Sequence, residues 1–144
     1  LVWWTFGAEE GDYVVRKELQ LSDSEWALMK VLWECAPASV NDIAEKVKDT
    51  IQWHPKTVRT MLIRLNSKGI VDYVMENNIQ HYRPLFTREE CESFAAESFI
   101  QRVFDGALTP MVAHFTTKRR LTMEEKAALR KLLNDDDQTD KENM

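Results

Sequence analysis

The sequence predicts a mainly α chain carrying one small β-hairpin, and three observations lead there. Ser or Thr stands three residues before Glu or Asp at Ser22, Ser39, Thr87 and Thr122, each time ahead of a run with apolar residues. That spacing lets the hydroxyl accept the N–H three residues on while the carboxylate returns to the hydroxyl residue's own N–H, the reciprocal cap of a helix start. Apolar residues then recur at i, i+3, i+4 and i+7, the period of one helix face. After Gly69 the period changes. Residues 70–76 (IVDYVME) and 79–83 (IQHYR) are rich in β-branched and aromatic side chains and flank Asn77-Asn78, a pair that tolerates positive φ and suits a tight hairpin turn. Three helices and then a hairpin between residues 21 and 86 is the order of a winged helix-turn-helix domain, and residues 87–134 form a second, helical domain.

Taken in order, residues 1–20 mix aromatic and acidic side chains without period and read as a poorly ordered tail, with Tyr13-Val14-Val15 as a short strand-like run. The first helix runs from Ser22 to about Cys35, with Trp26, Met29 and Trp33 on one side, Leu28 and Leu32 beside them, and Pro37 closing it. The second starts at Ser39, sets Val40, Ile43, Ala44 and Val47 on one face, and ends near Asp49. The third has Pro55 in its first turn, where a missing N–H costs nothing, and Gly69 just past its end, where a left-handed cap is usual. Pro84 ends the second hairpin strand by withholding a donor. A long helix from Thr87 to about Asp105 follows, its clearest stripe at Ala96, Phe99, Ile100 and Val103, and Gly106 stops it. Leu108, Met111, Val112 and Phe115 keep the same spacing over 108–117, and a last helix from Thr122 carries Leu129, Leu132 and Leu133. Residues 135–144 are strongly charged and read as a disordered acidic tail.

The third helix is the stretch that points to a function. Val58, Met61, Leu62 and Leu65 form its apolar stripe, while Lys56, Thr60, Arg64 and Ser67 point away from it. Between Thr50 and Gly69 there are four Lys/Arg and no Asp or Glu, in a chain whose formal charge is −5. The outward groups are of the kinds that bond phosphates and base edges, so the helix reads as a DNA recognition helix. The negative total does not oppose this. Residues 21–86 carry eight Lys/Arg and eight Asp/Glu, and the acid excess lies in the flanking segments, which leaves a local basic patch on a neutral domain.

Composition excludes several classes. No apolar run approaches the roughly 20 residues of a membrane-spanning helix, and LVWWTF is too short for the apolar core of a signal peptide, so a cytoplasmic location is expected. Cys35 and Cys91 stand far apart without a CxxC partner, and His54, His81 and His114 show no ligand spacing. That pattern predicts reduced cysteines, no metal and no cofactor. Nor is there a Gly-rich phosphate loop or a Ser/His/Asp grouping, so no enzyme is expected; 135–137 reads as a solvated acid run. The last three helices carry more apolar surface than about 45 residues hide alone, which implies a partner, and a second copy of the chain is the preferred one.

LSDSEWALMKVLW, then WHPKTVRTMLIRL with KG closing the helix, then a hairpin ending in HYRPL, resembles the penicillinase-repressor family of bacterial transcriptional regulators, the BlaI/MecI/CopY type. The likeness runs from about Leu21 to Leu133. The resemblance implies a dimeric repressor of a dyad-symmetric operator, and maps the family's recognition positions onto Lys56, Thr57, Arg59, Thr60 and Arg64. The wing, MENNIQ, departs from basic wings by lacking Lys and Arg, which leaves Asn78 and Gln80 for its DNA contact. The resemblance also implies a helical C-terminal dimerisation domain, for which the apolar stripes offer Phe99, Ile100, Val103, Met111, Val112, Phe115, Leu129 and Leu132 as the interface. In β-lactam-responsive members a membrane sensor protein triggers cleavage of an Asn-Phe bond, which aligns with Ser98-Phe99, where Ser replaces Asn. The cysteine-rich motif of the copper-responsive branch has no counterpart after Cys91. Two other readings remain at this stage: a winged-helix protein-interaction module using Trp26 and Trp33 or the C-terminal helices, and a repressor gated by a small ligand.

Overall fold

The computed structural model describes residues 19–118 and 120–142, with side chains through 137. Its elements are α1 (Asp23–Cys35), α2 (Val40–Val47), α3 (Pro55–Ser67), β1 (Val71–Glu76), β2 (Ile79–Pro84), α4 (Arg88–Phe104), α5 (Leu108–Lys118) and α6 (Met123–Glu142). The expected mainly α chain with one antiparallel hairpin is what forms. Two compact units divide it, the first ending at Ser98 and the second beginning at Phe99, within α4. Among the described residues no helix is long and apolar enough to cross a membrane. Tyr13-Val14-Val15 and most of the expected N-terminal tail lie outside the described residues.

Local chemistry makes the helix starts. All four reciprocal caps form: Ser22 with Glu25, Ser39 with Asp42, Thr87 with Glu90, and Thr122 with Glu125. Each supplies two otherwise unpaired N–H groups with an acceptor. α3 starts differently, with Pro55 following a cap made by His54, whose ring Nδ1 accepts the Lys56 N–H at 3.1 Å. It ends where Gly69 takes φ 77°, and the N–H groups of Gly69 and Ile70 donate back to Asn66 and Leu65 carbonyls, both at 3.0 Å. That closure requires a left-handed residue, which glycine supplies without steric cost.

The first unit has a continuous core. Leu28, Met29 and Leu32 of α1, Ile43 and Val47 of α2, Val58, Leu62 and Leu65 of α3, then Ile70, Val71 and Tyr82, are all buried in one cluster. The i, i+3, i+4, i+7 stripes of α2 and α3 are their buried faces. α1 differs from its expected stripe. Trp26 and Trp33 are only half-buried; Trp26 packs against a smaller cluster of Leu19, Cys91 and Phe94 and Trp33 against both clusters, while Leu28, Met29 and Leu32 are buried in the main core. Their rings lie 5.9 Å apart, and the Trp33 indole N–H donates to the Phe86 carbonyl at 2.9 Å. This cluster explains why the opening turns of α4 group with the hairpin domain. It also buries Leu19, from the segment read as a tail.

The hairpin pairs Val71 with Pro84 through to Glu76 with Ile79, closed by Asn77 and Asn78 at φ 52° and 64°. Two left-handed residues give the turn twist that matches a right-handed ribbon. Its base is held by an element the sequence did not announce: Ala38, between α1 and α2, exchanges hydrogen bonds with Tyr82 at 3.0 and 2.8 Å. Across the ribbon, Asp72 and Arg83 face each other and form two hydrogen bonds, at 2.6 and 3.1 Å.

In the second unit, α4 stops at Asp105 and Gly106, both at positive φ. A Cβ on Gly106 would come within 2.7 Å of the Gln101 side chain. Aromatic contacts link Phe99 with Phe104, and His114 with Phe104 and Phe115. α6 continues to Glu142, beyond Asn134, through the acid run expected to lack structure. From Asn134 to Glu142 there is no Gly or Pro to break the helix, and charge alone does not end one.

Candidate nucleic-acid interface

α3 spans 13 residues, about 20 Å at 1.5 Å per residue, a length that fits along a major groove. Its buried stripe fixes the opposite face outward, so Lys56, Thr57, Arg59, Thr60 and Arg64 are all exposed. Among the described residues no salt bridge engages Lys56, Arg59 or Arg64. Lys68, the fourth cation of the acid-free run, does not belong to this surface. Its ammonium bonds both Glu25 oxygens, at 3.0 and 2.9 Å, tying the end of α3 to the start of α1. Burial pushes the Glu25 carboxyl up, but the bonds from Lys68 and Ser22 and the Lys68 charge outweigh it and hold the group below its ordinary value.

The candidates separate into two flanks of α3. Thr57, Thr60 and Arg64 share a shallow groove with Ser22 and Ser24 at the start of α1. Arg59 instead shares a groove with Asn41 of α2 and with Asn78 and Gln80 of the hairpin. Thr60 is exposed, yet its hydroxyl donates to the Lys56 carbonyl at 3.0 Å. It therefore offers a methyl group and lone pairs, not a donor. Gln80 is half-buried and its Oε1 accepts the Tyr82 hydroxyl at 3.0 Å, which aims its NH₂ away from that bond. Burial pushes the Tyr82 phenol up, Tyr73 adds to that and Arg59 opposes it, so the hydroxyl keeps its proton at neutral pH.

Two features were missed in the sequence. His54 caps α3, a role that histidine's place before a proline does not advertise. Ile63 lies on the outward side with 54% of its surface exposed. An exposed aliphatic side chain is of the kind that meets a thymine methyl in a major groove. Its position four residues after Arg59 and one before Arg64 was the available signal.

The second-unit candidates are placed otherwise. Phe99, Val103, Val112, Phe115, Leu129 and Leu132 are exposed, and Ile100 and Met111 are half-buried. Ser98 is buried and Phe99 exposed, in the middle of α4.

Comparisons with known proteins identify the family. A sequence profile of the family described as penicillinase repressor matches residues 21–135. The chain is 33% identical over 118 residues to the methicillin resistance regulatory protein MecI of Staphylococcus aureus, covering 82% of this chain and 96% of that protein. It is 32% identical over 111 residues to the penicillinase repressor of Bacillus licheniformis, covering 77% and 87% respectively. A solution structure of the DNA binding domain of the repressor BlaI aligns with 49% of this chain and 87% of that domain, at 34% identity and a TM-score of 0.45. With a profile match across most of its length and relatives matched over nearly their whole length, the chain belongs to the penicillinase repressor family.

Proposed function

We propose that this protein is a dimeric, cytoplasmic repressor of transcription that binds a dyad-symmetric operator in double-stranded DNA. The observation that carries the reading is the outward face of α3, where Lys56, Arg59 and Arg64 stand exposed on an acid-free helix. A relative named as a penicillinase repressor, and another named as a regulatory protein, support the same reading. Lys56 and Thr57, at the helix start, bond phosphates or base edges. Thr60 and Arg64 lie one and two turns on, where an arginine bonded to guanine O6 and N7 discriminates by about 1–3 kcal/mol. Asn78 and Gln80 make the wing's polar contact.

Residues 21–86 supply the DNA-binding domain and 87–134 the dimerisation domain in this reading. Two copies joined through Phe99, Ile100, Val103, Met111, Val112, Phe115, Leu129 and Leu132 would present recognition helices about 34 Å apart, one per major groove. The apolar side chains left exposed in that region support an interface there. Cleavage at Ser98-Phe99, by or through a membrane sensor-protease, would separate the two DNA-binding domains and lose the advantage of joined half-sites. A protease binds its substrate extended, so α4 must unwind there first.

A gel-shift titration of the full chain against its upstream DNA, repeated across salt concentrations, tests the central claim. Each neutralised phosphate contributes a log–log slope of about −0.9, so a dimer shows a slope of several. Lys56→Ala and Arg64→Ala should each weaken the shift at least tenfold, from loss of a charged hydrogen bond worth about 1.5–3 kcal/mol. No retention of the duplex at low salt would overturn the reading. Sedimentation of the same preparation tests the dimer.

A further inference from the structure

The groove on the wing side of α3 has a chemistry of its own. It is an open cleft of about 420 Å³ bounded by Asn41 in the first turn of α2, Arg59 of α3, and Met75, Asn78, Ile79 and Gln80 of the hairpin. Arg59 is the charged side chain among those lining it, and no acid lines it. The Gln80 amide is oriented, because its oxygen is occupied by the Tyr82 hydroxyl and its two N–H bonds are left to donate. Asp42, also in the first turn of α2, does not line the cleft, and its carboxylate accepts the Ser39 N–H at 3.1 Å. At the lip, Met75 and Ile79 are 58% and 53% exposed. A cation and amide donors around an acid-free cleft, beside exposed aliphatic surface, match an anionic phosphodiester flanked by deoxyribose.

We propose that this groove seats one backbone phosphate of the duplex in each half-site, bonded by Arg59, Gln80 and Asn41, with the adjoining sugar against Met75 and Ile79. The inference rests on the DNA-binding reading and changes one assignment within it. Arg59 becomes a residue that positions the protein on the backbone, where no sequence information is carried, while Arg64 reads bases. It also gives a wing without Lys or Arg a defined backbone contact: the cation comes from the recognition helix and the hairpin supplies the amide and the apolar lip. Charge-assisted bonds from a guanidinium to phosphate oxygen are the strong class of hydrogen bond, so one arginine suffices to anchor the cleft.

The test uses the full chain, a duplex recovered by it from a random-sequence pool, and variants Arg59→Ala, Gln80→Glu and Arg64→Ala. Arg59→Ala is expected to weaken binding at least tenfold and by a similar factor on every sequence. It should reduce the log–log salt slope by about 0.9 per protomer. Ethylation of one phosphate per half-site should interfere with wild-type binding and cease to interfere with the variant. Gln80→Glu should weaken binding most at low salt, by setting a carboxylate against the phosphate. Arg64→Ala should instead relax preference at one base pair. If Arg59→Ala keeps the wild-type slope and ethylation pattern and relaxes a base preference, the phosphate inference falls and the DNA-binding reading stands. If no duplex is recovered from the pool, both fall. Unchanged urea midpoints in the variants exclude unfolding as the cause, since all three substituted side chains lie outside the core.

Discussion

The two units of this chain solve the problem of apolar surface in different ways. Through Ser98, periodic side chains meet one another, and Leu28, Leu32, Ile43, Leu62, Leu65 and Val71 are fully enclosed. From Phe99 onward, the same i, i+3, i+4, i+7 periodicity yields no buried residue among those described. Val112, Phe115 and Leu132 sit at helical spacing like Val58 and Leu62, yet remain exposed. Periodicity therefore reports that a face will be covered, not by what. In the first unit the covering is internal and frees the opposite face of α3 to be polar and basic; in the second the apolar side chains stand exposed.

The largest expected effect tests the enclosed side of this contrast. Leu62→Ala removes a fully buried side chain from the centre of α3 and should lower the unfolding free energy by about 2–5 kcal/mol. Urea unfolding should show the same loss at every protein concentration. Leu132→Asp, on the exposed side, should leave the unfolding of an isolated chain nearly unchanged and weaken self-association, seen as a shift toward monomer in sedimentation. Charged groups buried without a partner cost several kcal/mol, so the shift should be large if Leu132 is covered by a second copy. A concentration-independent loss in Leu132→Asp equal to that in Leu62→Ala would erase the distinction between the units.

Next in size is the ion pair that fastens α3 to α1. Glu25→Gln removes a carboxylate whose side chain is 5% exposed from a lysine that is 33% exposed, and should cost about 1–3 kcal/mol near neutral pH. The pH dependence has a definite sign. The folded-state pKa of Glu25 lies below its ordinary value, so its contribution is complete above the unfolded pKa and is lost as pH falls through the lower, folded one. Between about pH 7 and about pH 3 the wild type should lose more stability than Glu25→Gln, and the two denaturation midpoints should converge. Parallel curves would mean that the pair contributes nothing to fastening the helix.

These tests bear on how much the sequence disclosed. Four caps and the left-handed Asn and Gly positions were legible because they depend on short spacings and on the few residues that meet them. The stripes of α2 and α3 were legible for the same reason. Lys68 was not, because its partner Glu25 lies 43 residues away and was already accounted for as a cap. The bridge from Ala38 to Tyr82 and the packing of Trp26 and Trp33 against a second cluster with Cys91 and Phe94 were hidden likewise, since each depends on a distant segment. Of the site, the exposed face of α3 followed from its buried stripe. The grouping of Arg59 with Asn41 and Gln80 required the fold, which brings three separate elements around one cleft.

A smaller effect concerns how the recognition face distinguishes bases. Ile63 is exposed, so Ile63→Ala should change stability by no more than about 0.5 kcal/mol. If its side chain meets a thymine methyl, replacing thymines of the bound duplex by uracil should weaken wild-type binding several-fold at one position per half-site. The same replacement should leave binding by Ile63→Ala unchanged. Equal sensitivity in the two proteins would assign the contact elsewhere, with the Thr60 methyl as the neighbouring candidate.

The smallest effect expected is also the one that the sequence would have placed among the larger. Read from its outward position, Thr60 is a hydrogen-bonding group like Arg64. In the structure its hydroxyl proton is directed at the Lys56 carbonyl one turn back, so the group presented to a duplex is a methyl and an oxygen that accepts. DNA phosphates and guanine offer acceptors at the positions where a threonine donor would be used, and only adenine and cytosine amino groups would engage the oxygen. Thr60→Val keeps the shape and the methyl while removing the hydroxyl, and its exposed site holds any change in stability within about 0.5 kcal/mol. Operator affinity in a gel shift should stay within about twofold of wild type, while Arg64→Ala loses at least about tenfold under the same salt. A loss in Thr60→Val comparable to that in Arg64→Ala would show that the hydroxyl leaves the helix carbonyl on binding. The outward face of α3 would then have to rearrange on DNA, in contrast to the core beneath it.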